Sequence, residues 1–234
     1  MKIGGRRLVR RSIFLAAACM LALVLTACTG RGGGYLPPGP IEFVSAPAID
    51  QTVIDKFYSA SFTGQAPFGF TFSCDDKGGL NPPTGKLAIE LAYSDRGTST
   101  LGNEPLLGAP FSIHGIVDNI DPIIESMICI GQNPPTPPRE LTFLGRYRPT
   151  SSSKPGALNT CPTRETTISP LCRFEVFVRD NDGNLRPSKG DFFSIQLSTA
   201  TCTSPKDPSC STLPIGKVFY ARAGYLAGGN LTVK

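Results

Sequence analysis

The chain has 234 residues, with 23 Lys+Arg against 18 Asp+Glu and a formal charge of +5. That length suffices for one sizeable core or two small ones. The basic excess is confined to the N-terminus. Without residues 1–27, Lys+Arg falls to 18 and the charge balances, so no basic tract remains and a nucleic-acid partner is not expected.

The first residues read as an export signal. Lys2, Arg6, Arg7, Arg10 and Arg11 precede a short apolar run, Ile13 to Leu25. A permanent transmembrane helix needs about 20 apolar residues, so this run is too short to span. Leu25-Thr26-Ala27-Cys28 follows directly. Small residues at 26 and 27 let a peptidase hold the chain extended, and the Cys28 thiol is the nucleophile for diacylglycerol. Residues 1–27 are therefore expected to be a lipoprotein signal peptide. Cys28 is the expected lipidation site, with the membrane as partner through that lipid. Two acyl chains anchor a soluble body stably where one does not. The expected location is a bacterial cell membrane, on its extracytoplasmic face.

Residues 28–40 contain the Gly/Pro-rich stretch TGRGGGYLPPGP and are expected to form a tether between lipid and domain. The domain is then expected over 41–234. Asp50 to Tyr58 is the one helix-like segment. Beyond it, apolar residues alternate with small or polar ones at Phe68/Phe70/Phe72/Cys74, Leu87/Ile89/Leu91/Tyr93 and Phe111/Ile113/Gly115/Val117. The same period recurs at Leu141/Phe143/Tyr147, Phe174/Val176/Val178 and Phe193/Ile195/Leu197. Period two marks strands with one buried face. Asp182-Gly183, the proline run at 134–138 and Gly228-Gly229 supply turn chemistry. The predicted fold is all-β, a single antiparallel β-sandwich or partly closed barrel with long disulfide-bearing loops.

Export also explains the cysteines. Cys19 leaves with the signal and Cys28 takes lipid, which leaves Cys74, Cys129, Cys161, Cys172, Cys202 and Cys210 as expected disulfide partners. Six cysteines allow 15 connectivities. Cys161–Cys172 and Cys202–Cys210 would close local Pro- and Ser/Thr-rich loops, with Cys74–Cys129 as the long-range bridge. One histidine, His114, and the lack of a CxxC spacing argue against zinc.

Catalytic signals are thin. His114 lies on the face opposite Phe111 and Ile113, and no G-x-S-x-G flanks a serine. Asp75-Asp76, Asp118/Asp121 and Asp180/Asp182 are acidic pairs of the kind that turns also use. Asp180-Asn181-Asp182-Gly183-Asn184 offers oxygen ligands for calcium, but its glycine is misplaced for an EF-hand and the segment reads better as a hairpin connector. No metal, cofactor or enzymatic activity is expected. A glycan platform would use exposed aromatics, and Tyr220 and Tyr225 are the tyrosines least committed to a core.

Several motifs resemble the post-choice-of-anchor domain, a β-rich module of exported and surface proteins. They are FGF at 68–70, GKLAIELAY at 85–93, LTFLGRY at 141–147, FEVFVRDNDGN at 174–184, GDFFSIQLS at 190–198 and LAGGNLTV at 226–233. The chain departs from that pattern in its cysteine-bearing loops at 149–172 and 202–210, and in an added strand, GKVFYARAG. The resemblance implies a surface β-module without catalytic residues. The expected function is thus binding, adhesion or envelope structure, with an envelope protein or glycan as partner. An envelope hydrolase with an unrecognised carboxylate site and a carrier of an apolar ligand are the alternatives.

Overall fold

The computed structural model describes residues 28–42, 51–75, 86–101, 104–105, 110–116, 139–152, 155–156, 158, 161, 172–181, 190–199 and 217–234. Its strands are β1 (Cys28–Leu36), β2 (Gly39–Pro40), β3 (Ala60–Phe62), β4 (Ala66–Asp75), β5 (Lys86–Asp95), β6 (Ser99–Leu101) and β7 (Glu104–Pro105). They continue with β8 (Phe111–Ile116), β9 (Arg139–Pro149), β10 (Cys172–Asp180), β11 (Phe192–Thr199), β12 (Lys217–Tyr225) and β13 (Gly228–Val233). One helix, α1 (Gln51–Phe57), lies where the sequence places it.

The chain is all-β, and of the two expected forms it takes the partly closed barrel. A nine-stranded antiparallel sheet runs in the order β12-β11-β10-β9-β8-β5-β4-β1-β13 and curls on itself. A second sheet of four strands runs in the order β2-β3-β6-β7. Each segment of alternating hydrophobicity falls in a strand, and among the described residues its apolar side chains are buried. Phe68, Phe70 and Phe72 are buried, as are Ile89, Leu91 and Tyr93, and Phe193, Ile195 and Leu197. Rings then meet across the curl. Phe68 of β4 stacks on Phe193 of β11 at 3.7 Å, and Phe143 of β9 lies 5.1 Å from Phe70 of β4, while Phe174 of the adjacent strand β10 flanks Phe143 at 6.0 Å. Side chains thus pack against one another in the interior, and aromatic pairs add about 0.5–1.5 kcal/mol each beyond area burial.

The expected tether does not exist over residues 28–36. That segment is β1, paired on one side with β4 from Cys28↔Cys74 to Leu36↔Ala66, and on the other with β13. The sheet therefore includes residues 28–36, which the expected boundary at 41 left out. The glycines here are a packing requirement. A Cβ on Gly34 would stand 2.4 Å from the Gly228 carbonyl oxygen, and one on Gly32 would stand 2.5 Å from a Leu231 methyl. Glycine inside a strand marks such close approach. Opposite, Gly229 has φ +112°, a conformation open to glycine alone at little cost.

Gly228-Gly229, read as a turn, instead opens β13. The last strand thereby pairs with the first, and Thr29 and Lys234 exchange backbone hydrogen bonds at 2.9 Å. Of the other turn signals, the proline run and Asp182-Gly183 lie outside the described residues.

Candidate functional site

Cys28 opens β1, directly across the ladder from Cys74. Cys74 is buried in register with Phe68, Phe70 and Phe72, and it is disulfide-bonded. Cys161 and Cys172 form a disulfide, as the loop between them suggests. Tyr147 Oη lies 3.4 Å from the Cys161 sulfur, and burial drives the Tyr147 pKa above its ordinary value. Cys129, Cys202 and Cys210 lie outside the described residues.

Among the described residues, a dense polar cluster lies elsewhere, where the small sheet meets the large one. Asp95 ends β5, two positions after Tyr93, and so inherits its inward register. Arg222 follows Tyr220 in the same way on β12. Arg222 Nη1 lies 3.0 Å from Asp95 Oδ1, with both side chains almost fully buried. Tyr220 Oη donates to Asp95 Oδ2 at 2.6 Å, so its single proton is used. Tyr93 Oη, 2.6 Å from Tyr220 Oη, must then be the donor in that pair. Arg222 Nη2 donates to the carbonyls of Pro37 and Gly64 at 2.8 and 2.7 Å. The guanidinium also lies over the Phe62 ring, 4.4 Å from its centroid.

The cluster thereby joins five segments: β5, β12, the β1–β2 link, β3 and the β3–β4 turn. Burial raises the pKa of Tyr93 and Tyr220, and the neighbouring Asp95 charge raises both further. For Arg222, burial opposes its charge, but Tyr93, Tyr220 and Asp95 outweigh it and hold the pKa above the ordinary value.

Beside this cluster lies a groove of about 210 Å³, lined by Pro37, Pro38, Pro40, Glu42 and the 223–227 segment including Tyr225, and by Phe62 and Arg222 of the cluster itself. That volume is below the range of roughly 300–1,000 Å³ usual for enclosed small-molecule sites.

The other expected candidates fall as follows. Tyr220 is fully buried and presents no platform, whereas half-buried Tyr225 packs edge-on against Phe192. His114 is half-buried, between Ala92 and Arg148 in its neighbouring strands. Asp180 is buried, lies 3.8 Å from Arg139 Nη1 and accepts from the Val233 N–H at 3.2 Å. Asp191 accepts from the Leu231 N–H at 2.7 Å and the Asn181 N–H at 2.9 Å.

β10 and β11 are adjacent antiparallel strands, and Asp191 ties Asn181 at the end of β10 to the start of β11. Residues 182–189 between them lie outside the described residues. Asp76, Asp118, Asp121 and Asp182 lie outside the described residues. Among the described residues, no three His, Cys, Asp or Glu side chains converge as metal ligands.

Sequence reasoning missed Asp95 and Arg222. The signal was present for Asp95, the next inward position after Leu91 and Tyr93 of a strand already read from its apolar members. Arg222 instead lies on a strand that the sequence marks only as an added segment, with no inward face assigned. Comparison with family models, curated proteins and solved structures finds no match to this chain.

Proposed function

We propose that this protein is a lipid-anchored β-module of the bacterial cell envelope, fixed through Cys28 on the extracytoplasmic face. On this reading it binds or scaffolds and does not catalyse. The observation that carries the reading is Leu25-Thr26-Ala27-Cys28 at the end of a short apolar run, with the first described strand starting at that same cysteine.

The interior supports a module over a carrier, because aromatic rings occupy the space that an apolar cargo would need. The buried carboxylates support it over a hydrolase. Asp95, Asp180 and Asp191 each hold backbone N–H groups or a cation of the chain itself. The groove beside Tyr225 and Glu42 is the surface this reading assigns to an envelope protein or glycan partner.

The test is fractionation of the native host with wild type and Cys28→Ala, combined with crosslinking on intact cells. Wild type is expected in the membrane fraction with a recurring envelope partner. Cys28→Ala is expected to be released or left unprocessed. A wild type that is soluble without detergent would contradict the anchor.

A further inference from the structure

We infer that Cys28 and Cys74 form a cross-strand disulfide in any form of this chain whose Cys28 carries no lipid, so that acylation and cystine formation are mutually exclusive fates of one thiol. The inference goes beyond the anchoring proposal and stands whether or not the host acylates Cys28.

Two observations carry it. First, Cys28 and Cys74 are direct partners in the antiparallel β1–β4 ladder. Opposed residues in such a pair have α-carbons about 4.5 or 5.5 Å apart, and disulfides span roughly 4.4–6.8 Å, so either kind of pair is within range. Second, Cys74 is buried and already disulfide-bonded, so its thiol is committed to a partner.

The pairing is also favoured by how firmly β1 is held. Nine consecutive residues of β1 are in register with β4, and the Thr29–Lys234 backbone pair fixes the strand one residue from Cys28. Cys28 is thereby held opposite Cys74 in the folded sheet without any loop having to close.

The chemistry balances with a disulfide carrier of the exported compartment, or with oxidised glutathione in solution. The two thiols give up two protons and two electrons as the new S–S bond forms. The carrier's own S–S bond breaks and takes both up as two thiols. A thioether at Cys28 has no thiol to give, so the acylated chain must leave Cys74 to another cysteine.

The test is a non-reducing peptide map of the full 234-residue chain, refolded without lipid in a glutathione redox buffer. Appearance of the Cys161–Cys172 linked peptide marks natively oxidised material. In that material a Cys28–Cys74 linked peptide is expected, and Cys129→Ser should leave it unchanged. If refolding yields no Cys161–Cys172 link, the same map is made on precursor trapped by alkylation in an exporting host depleted of its lipobox acyltransferase.

A Cys74–Cys129 link, a Cys19–Cys28 link or a free Cys28 thiol in the lipid-free chain would overturn the inference. Failure of the anchor reads out separately, as a Cys28 without acyl mass in protein from the unperturbed host.

Discussion

Arg222 and Asp95 show how a charge pair is kept inside an apolar body. Each guanidinium Nη atom faces an acceptor or carboxylate oxygen of the chain, and the carboxylate receives Tyr220 and the Gly97 N–H as well as the arginine. Removing one member of a buried pair leaves the other uncompensated, which costs about 3–5 kcal/mol. Arg222→Met should therefore lower the unfolding free energy by roughly that amount in urea titrations, whereas loss of a merely exposed pair would cost about 1 kcal/mol or less.

The tyrosines give a pH signature. Tyr93, Tyr147 and Tyr220 all have folded pKa values raised above the unfolded value, chiefly by burial. Their contribution is complete below about pH 10 and falls as pH rises, because the unfolded chain releases protons that the folded chain retains. Each buried tyrosine loses about 1.4 kcal/mol per pH unit above that point. Phenolate absorbance from these three should appear together with unfolding, above pH 10, and not as a separate earlier titration.

At the scale of single elements, β1 was misread as a tether, and the short strands β2, β3, β6 and β7 of the small sheet were not read from sequence at all. Alternation identified β4, β5, β8, β9, β10 and β11, because a half-buried strand must put apolar residues at every second position. β1 carries almost no apolar residue. Its glycines resemble a flexible linker in composition, and only the closeness of the β13 backbone shows why no side chain is allowed. Gly34→Ala should destabilise the fold by about 1–3 kcal/mol, as overpacking does, whereas a true tether would leave the melting temperature unchanged.

β13 depends on a different device. Val233 and Leu231 direct backbone N–H groups to Asp180 and Asp191, so carboxylates stand where a tenth strand would. Unpaired strand edges invite association, and filling them with side chains removes that hazard. Asp191→Ala leaves the Leu231 N–H without its partner and releases the Asn181 N–H. Hydrogen exchange at Leu231 and Asn181 should accelerate by at least tenfold, with a loss of about 1–3 kcal/mol. Unchanged exchange at Leu231 would mean that Asp191 does not hold the edge.

For the molecule as a whole, β1 and β13 lie side by side while β12, the other edge of the large sheet, is contacted by the 41–42 segment and α1. The Glu42 N–H donates to the Ala223 carbonyl, and Lys56 to that of Val218. The overall class was legible because patterning decides it. The closure was not, because it rests on Asp95, Arg222, Asp180 and Asp191, polar residues at inward positions whose partners lie far away in sequence. Arg222 and Pro37, for instance, are separated by 185 residues.

A lipid on Cys28 would bring this body flush with the membrane, since residue 29 is already in the sheet. The most direct measurement is the mass of the N-terminal peptide of the protein extracted from its native membranes. The account predicts that it starts at Cys28 and carries a diacylglyceryl adduct. An N-terminal peptide starting at Met1, or a Cys28 found unacylated or bonded to Cys74 in the membrane-borne protein, would contradict it.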